Sequence, residues 1–247
     1  MSDRTAWNDG ATALSSCTDC GLYRVCFSRR LGMDEAEECA VVHRSPVPAP
    51  AGGTIAWDPG NLVVLRSGAV KRSRCTRDGN ELIAEFFLPG EVIGLQTGEK
   101  AAADEAFVVL ERAHYCEMPW DGVHELMAHD PGVRHTVSEI LLESLSVSRE
   151  RLLRACRGSA RQRVAAFLLD LVSRRERTPS PTPHIRLAMD RREIAAYLDL
   201  TIETVSRVLS RLRREGTIDL RGRWLRVCDR DALDELAEGG ALPRSIA

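Results

Sequence analysis

Residues 190–216 read DRREIAAYLDLTIETVSRVLSRLRREG, and the fold turns on how that stretch is parsed. Asp190 followed by Glu193 is a capping arrangement that opens a short helix running to Leu198. Asp199-Leu200-Thr201 then makes a tight turn, and Thr201 caps a second helix from 202 to about 215. On that helix Val205, Leu209 and Leu212 share one face, while Glu203, Ser206, Arg207, Ser210 and Arg214 share the other. Gly216 ends it. Strands expected over 217–220 and 224–227 flank Arg221-Gly222-Arg223 as a wing hairpin. Two short helices, a tight turn and a polar outer face form the geometry that seats a helix in a major groove. The chemistry of the outer face agrees: Arg207 can donate twice to guanine O6 and N7, and Glu203 can accept from cytosine N4.

Working outward, the charge balance divides sharply. Residues 1–148 carry 13 Lys and Arg against 22 Asp and Glu, whereas residues 149–230 carry 20 Arg against 10 acids. A solvated surface would also be charged, but a basic third beside an acidic front fits a polyanion-binding module joined to something else. The surrounding arginines would bind phosphates and set register.

Upstream, the period changes. Between about 54 and 119 short apolar runs alternate with turn signals: Leu62-Val63-Val64-Leu65 before Ser67-Gly68, then Asp78-Gly79-Asn80, then an apolar run before Pro89-Gly90. Several short strands at that spacing predict a small β-barrel or sandwich. After Asp130-Pro131-Gly132, the residues Val137, Leu141, Leu145, Ser148, Leu152 and Ala155 fall on one face of a long helix ending near Gly158. Some 25 helical residues span about 38 Å, more than a small barrel covers, so the stripe is expected to pair at least partly with a second helix. A further helix is expected from 160 to about 175. The loop 178–183 follows, because three prolines forbid helix there.

Eight cysteines in 247 residues raise the question of disulfides. The N-terminus shows no signal sequence, and no apolar run reaches the roughly 18 residues of a membrane span. A cytoplasmic, membrane-free protein is therefore expected, where clustered thiols serve metals or redox chemistry rather than disulfides. Cys17-x2-Cys20-x5-Cys26 places three thiols within ten residues. Zinc sites more often use two separated pairs, while soft thiolates suit iron–sulfur clusters. On spacing alone cluster, zinc and thiol-redox readings stay open. Cys39, Cys75, Cys156 and Cys228 are expected to be buried or incidental.

The segment Thr201-Ile202-Glu203-Thr204-Val205-Ser206-Arg207 resembles the recognition segment of the CRP/FNR regulators, specifically the fumarate and nitrate reduction (FNR) branch. The likeness runs from about Ser16 to Val227. It takes in Arg66-Ser67-Gly68, Leu88-Pro89-Gly90-Glu91-Val92-Ile93-Gly94 and Cys116-Glu117-Met118-Pro119. The resemblance implies an α+β fold: a cyclic-nucleotide-binding-like β-roll, a long dimerisation helix and a C-terminal winged helix-turn-helix. It implies DNA reading by Glu203, Ser206 and Arg207 at TTGAT-like inverted repeats, Ser206 replacing the glycine of the cyclic-AMP branch. It also implies a [4Fe–4S] cluster on Cys17, Cys20, Cys26 and Cys116, a homodimer, RNA polymerase as a partner, and activity under low oxygen. The expected organisation is a cysteine-rich segment over 1–30, the β-roll over 31–130, the dimerisation helix over 131–158 and the DNA-binding domain over 159–247. One residue departs from the pattern: Asp199 stands in the turn where the family usually has glycine, a position Asp tolerates better than most.

Two functions are disfavoured. Cyclic-nucleotide binding needs an arginine for the phosphate, yet residues 95–106 hold only Lys100 as a cation and carry Asp104-Glu105 instead. An enzyme is not expected either, since no nucleophile–base motif is present and the six histidines are scattered. The alternative within the family is a clusterless regulator responding to nitric oxide, haem or thiol redox state.

Overall fold

The computed structural model describes residues 47–58, 60–79, 81–94, 105–177 and 183–239, without the side chains of 143, 147 and 150–157. Alternating apolar residues build its first sheet. Strands β1 (Val47–Ala49), β2 (Thr54–Ile55), β3 (Asn61–Cys75), β4 (Glu81–Phe87), β5 (Val92–Ile93) and β6 (Glu105–Pro119) form an antiparallel roll of order β1-β6-β3-β4. β2 adds to β6 and β5 to β3. The two faces of β3 serve different cores, as a two-residue period requires. Val63, Leu65 and Val70 pack inside the roll with Phe107, Val109 and Tyr115. Leu62 and Val64 point the other way and join Met118, Val123, Val133, Val137 and Ile140 beneath the helices that follow.

The expectation of several short strands is corrected here. β3 and β6 are each 15 residues long, and Ser67-Gly68 does not end a strand. Register shifts between Leu65 and Val70 absorb the irregularity as bulges while the ladder continues. Gly68 makes this possible: at φ +81 a Cβ would sit 2.5 Å from the Arg112 carbonyl oxygen. No side chain fits between β3 and β6 at that point.

Beyond the roll come α1 (Trp120–His129) and α2 (Pro131–Arg157). α1 is a short helix entered from Pro119 without a side-chain cap, so no capping residue announces it in the sequence. α2 is the long helix, and it is split along its length. Val137, expected at the head of a pairing seam, is only 1% exposed and packs against the roll. It shares a face with Val133 and Ile140. Leu141 and Leu145, one step round the helix, are 40% and 57% exposed, and Leu142 is 63% exposed. The exposed apolar stripe thus starts at Leu141.

The chain continues through α3 (Ala160–Glu176), β7 (Ile185–Arg186), α4 (Arg191–Leu198), α5 (Ile202–Arg214), β8 (Ile218–Arg221), β9 (Trp224–Val227) and α6 (Arg230–Glu238). The last helix is not among the elements expected from the sequence. Val164, Phe167 and Leu168 of α3, Ile194 of α4, and Val205, Leu209 and Leu212 of α5 form one core with Ile218 and Leu225 of the small sheet. Ile83 and Phe86 of β4 belong to the same core, so the roll and the C-terminal helices are packed together. Phe86 sits with its ring centroid 5.0 Å from Tyr197 and 6.2 Å from Phe167. No helix among the described residues is long and apolar enough to cross a membrane.

Candidate nucleic-acid interface and thiol site

The two helices over 190–216 are built by their caps. The Asp190 carboxylate accepts from the Glu193 amide at 2.8 Å, and the Glu193 carboxylate accepts from the Asp190 amide at 2.8 Å. This reciprocal box satisfies two amides that would otherwise lack partners. α4 ends at Asp199, which adopts φ 51 and ψ 52. It is the one non-glycine residue with positive φ among the described residues. The Leu200 amide then reaches back to the Ala195 carbonyl at 2.9 Å, closing the turn. Thr201 starts α5, its hydroxyl accepting from the Thr204 amide at 3.2 Å.

α5 buries Val205, Leu209 and Leu212 and exposes Glu203, Arg207, Ser210, Arg211 and Arg214; Ser206 is half-buried at the edge. Glu203 and Arg207 therefore stand on the solvent face, with Arg207 Nε 3.4 Å from the Glu203 carbonyl. Glu203 in the first turn and arginines in the last turn also suit the helix dipole. The three-stranded sheet β7-β9-β8 forms the wing, whose tip Arg221-Gly222-Arg223 and neighbour Trp224 are exposed.

Contacts that the sequence does not announce fasten this unit to the roll. Arg174 on α3 bonds both carboxylate oxygens of Glu91, the Asp170 carboxylate at 3.1 Å, and the Phe86 carbonyl. Burial disfavours its charge, but Glu91 and Asp170 outweigh that and hold its pKa above the ordinary arginine value. Lys71 on β3 lies 2.9 Å from Glu81 and 3.0 Å from Glu193 of the α4 capping box. It too is buried, and the two carboxylates keep its pKa above that of a free lysine. Arg186 pairs with Glu111 of β6. Lys71 and Glu193 are 122 positions apart and Arg174 and Glu91 are 83, so no local pattern could have revealed them.

Of the four expected thiol ligands, Cys17, Cys20 and Cys26 lie outside the described residues. Cys116 lies on β6, 9% exposed, directly opposite Val64 and two residues from Met118. Its place in the strand puts it on the face turned towards α1 and α2 rather than in the roll interior. β1 runs beside β6, its first residue Val47 lying opposite Tyr115, the chain neighbour of Cys116. Cys75 and Cys228 are exposed rather than buried. Leu152 belongs to α2, but its side chain lies outside the described residues, as does that of Cys156; Cys39 lies outside altogether. Most of the 95–106 stretch lies outside them as well. Its last part contributes Glu105, which is 3.6 Å from Arg72.

Residues 162–236 match the model of the Crp-like helix-turn-helix domain. Electron transport regulator A of Shewanella oneidensis is 30% identical over 232 residues, covering 92% of each chain. The fumarate and nitrate reduction regulatory protein of Escherichia coli is 28% identical over 224 residues, covering 90% of each. The chain belongs to the CRP/FNR family of transcription regulators. Among solved members, FixK2 from Bradyrhizobium japonicum superposes with a TM-score of 0.70 at 26% identity, over 79% of this chain and 98% of that one. The fold is accordingly the α+β arrangement of the CRP/FNR regulators, with a winged helix-turn-helix at its C-terminus. The protein is a DNA-binding regulator and not an enzyme.

Proposed function

We propose that this regulator responds to oxygen or redox state through a [4Fe–4S] cluster held by Cys17, Cys20, Cys26 and Cys116. Under low oxygen it pairs as a homodimer through α2 and binds TTGAT-like inverted repeats at promoters through Glu203, Ser206 and Arg207, where it meets RNA polymerase. The observation that carries this reading is the position of Cys116. A buried soft donor sits on the face shared with α2, beside the strand through which the cysteine-rich N-terminal segment joins the roll. Twenty-one positions separate Cys26 from Val47, which is ample for the segment to return to Cys116. The name of the Escherichia coli relative, for fumarate and nitrate reduction, supports a respiratory setting.

The residues fit the group, since thiolates are the ligands such clusters take. When bound, the cluster would supply an oxygen-reactive iron–sulfide core, and the four thiolates would hold it. The protein's own part is mechanical: the ligands would tie the N-terminal segment to β6 below Val133, Val137 and Ile140, the residues that seat α2 on the roll. Leu141, Leu142 and Leu145 continue that helix into solvent as an apolar stripe. A two-fold target requires two protomers, and this stripe is the surface that pairs them. Protein purified without oxygen tests the reading. A broad absorbance band near ~400–420 nm that bleaches in air, with about four irons per chain, is expected from a cluster on four thiolates. A sharp Soret band, or iron-free protein that still binds its promoter, would overturn it.

A further inference from the structure

α2 ends at Arg157, and after two intervening residues α3 begins under a capping box in which Ser159 and Gln162 bond reciprocally. The first turn of α3 reaches both flanks of α5. Arg163 donates from one Nη to the Leu198 carbonyl at 2.8 Å and to the Asp199 carbonyl at 3.3 Å. Those carbonyls end α4 and form the turn that aims α5. Arg161, two residues earlier, pairs with Glu215, the residue that caps the far end of α5 and also accepts from Arg211 at 2.9 Å. That second pair is solvent-exposed and contributes little by itself. The Arg163 contact is different in kind. A left-handed Asp is less at ease than glycine, and one charged Nη donates to the two adjacent carbonyls at that point.

We infer that Arg163 is a positioning residue for base reading. It fixes the inter-helix turn in its left-handed form, so that the tilt of α5 is set by the first turn of α3, six residues after α2 ends. A glycine in the turn would need no such restraint; with Asp199 the conformation depends on the arginine. The inference rests on α5 being the base-reading helix, and it adds a consequence. Any rotation of α3 about Gly158-Ser159 is passed to α5 through Arg163, without contact between α2 and DNA.

The test uses the full chain purified without oxygen, and two duplexes: one that the wild-type protein enriches from a random pool, and a shuffled version. Arg163→Ala is expected to weaken the enriched duplex roughly tenfold or more, in line with a charged hydrogen bond. Binding to the shuffled duplex should stay within about twofold, with an unchanged salt slope, because phosphate contacts are not aimed by the turn. Asp199→Gly added to Arg163→Ala should recover much of the loss, and Arg163→Lys should fall between. If Arg163→Ala does not fold by circular dichroism, Arg163→Lys with and without Asp199→Gly carries the same comparison. Equal loss on both duplexes, no loss on either, or failure of Asp199→Gly to rescue overturns the inference. Arg207→Ala separates the two levels: if it keeps full discrimination, α5 is not the reading helix. If it loses discrimination while Arg163→Ala keeps it, only the role of Arg163 falls.

Discussion

At the scale of single residues, two side chains bear most of the proposed function, and they differ in what surrounds them. Cys116 is buried on a strand, so its position is set by the ladder with β3 and not by any ligand. Replacing it with Ser removes one sulfur and leaves the packing nearly unchanged. Cys17→Ser, Cys20→Ser, Cys26→Ser and Cys116→Ser are each expected to abolish iron binding in anaerobic preparations, while Cys75→Ser and Cys228→Ser keep iron near wild type. Iron analysis decides it, and iron lost in Cys75→Ser but kept in Cys116→Ser would reverse the ligand assignment. Arg207, by contrast, is exposed and, among the described residues, makes only a long contact with its own helix, so little is lost from the free protein when it is removed. Arg207→Ala should cost about 1–3 kcal/mol per half-site at a G·C pair, and Glu203→Ala should relax the preference there. Titrations against duplexes altered at one position would show it; unchanged discrimination in Arg207→Ala refutes the docking.

At the scale of the element, α2 answers to two masters. Its first turns are committed to the roll through Val133, Val137 and Ile140, while Leu141, Leu142, Leu145 and Ser148 face water. An apolar stripe followed in sequence by Arg149, Arg151, Arg154 and Arg157 would make a weak pairing surface, since a second copy would bring like charges together. A weak surface is one that a bias of a few kcal/mol shifts by two or more decades. Leu145→Asp places a charge in the stripe without touching the roll core. It should give monomers that keep their iron and lose inverted-repeat binding, as read by sedimentation and anisotropy. Val137→Asp is predicted to act differently, destabilising the fold itself, because that side chain is buried inside one chain. A Leu145→Asp variant that remained dimeric would remove α2 from the interface.

At the scale of the whole molecule, the roll and the DNA-binding helices share a core, and buried charges lie at its edge. Phe86 and Ile83 enter the C-terminal core from β4, and Arg174 closes over them by bonding Glu91 of the roll. Truncating Arg174 takes a charged donor from Glu91, which keeps the Leu88 amide, and a donor from the Phe86 carbonyl. Arg174→Met should cost roughly 1–3 kcal/mol, less than for a fully buried pair because Glu91 keeps some access to water. The more telling outcome is cooperativity. The wild type is expected to unfold in one transition. Arg174→Met should separate the roll from the helices, which circular dichroism and Trp fluorescence would report as non-coincident curves. Coincident curves at an unchanged midpoint would show that Arg174 does not couple the two parts.

Local order was legible in the sequence wherever it depends on neighbours in the chain. Asp190 with Glu193, Thr201 with Thr204, and the apolar period of Val205, Leu209 and Leu212 each act within a turn or two. They therefore set the helix-turn-helix before any long-range contact forms. The same locality made Glu203 and Arg207 readable as an outward polar face. The length of β3 was not readable, because Ser67-Gly68 signals a turn unless β6 lies alongside to accept a bulge. Nor was the division of α2, since Val137 and Leu141 are equally apolar and only the roll beneath decides which is buried. The same holds for Arg163, Arg174 and Lys71. Each is one more basic residue in a basic stretch or strand until folding brings a carbonyl or carboxylate from as far as 122 residues away within bonding distance. Sequence determines what depends on spacing along the chain; the tertiary structure alone decides which exposed, which buried and which paired state a given side chain takes.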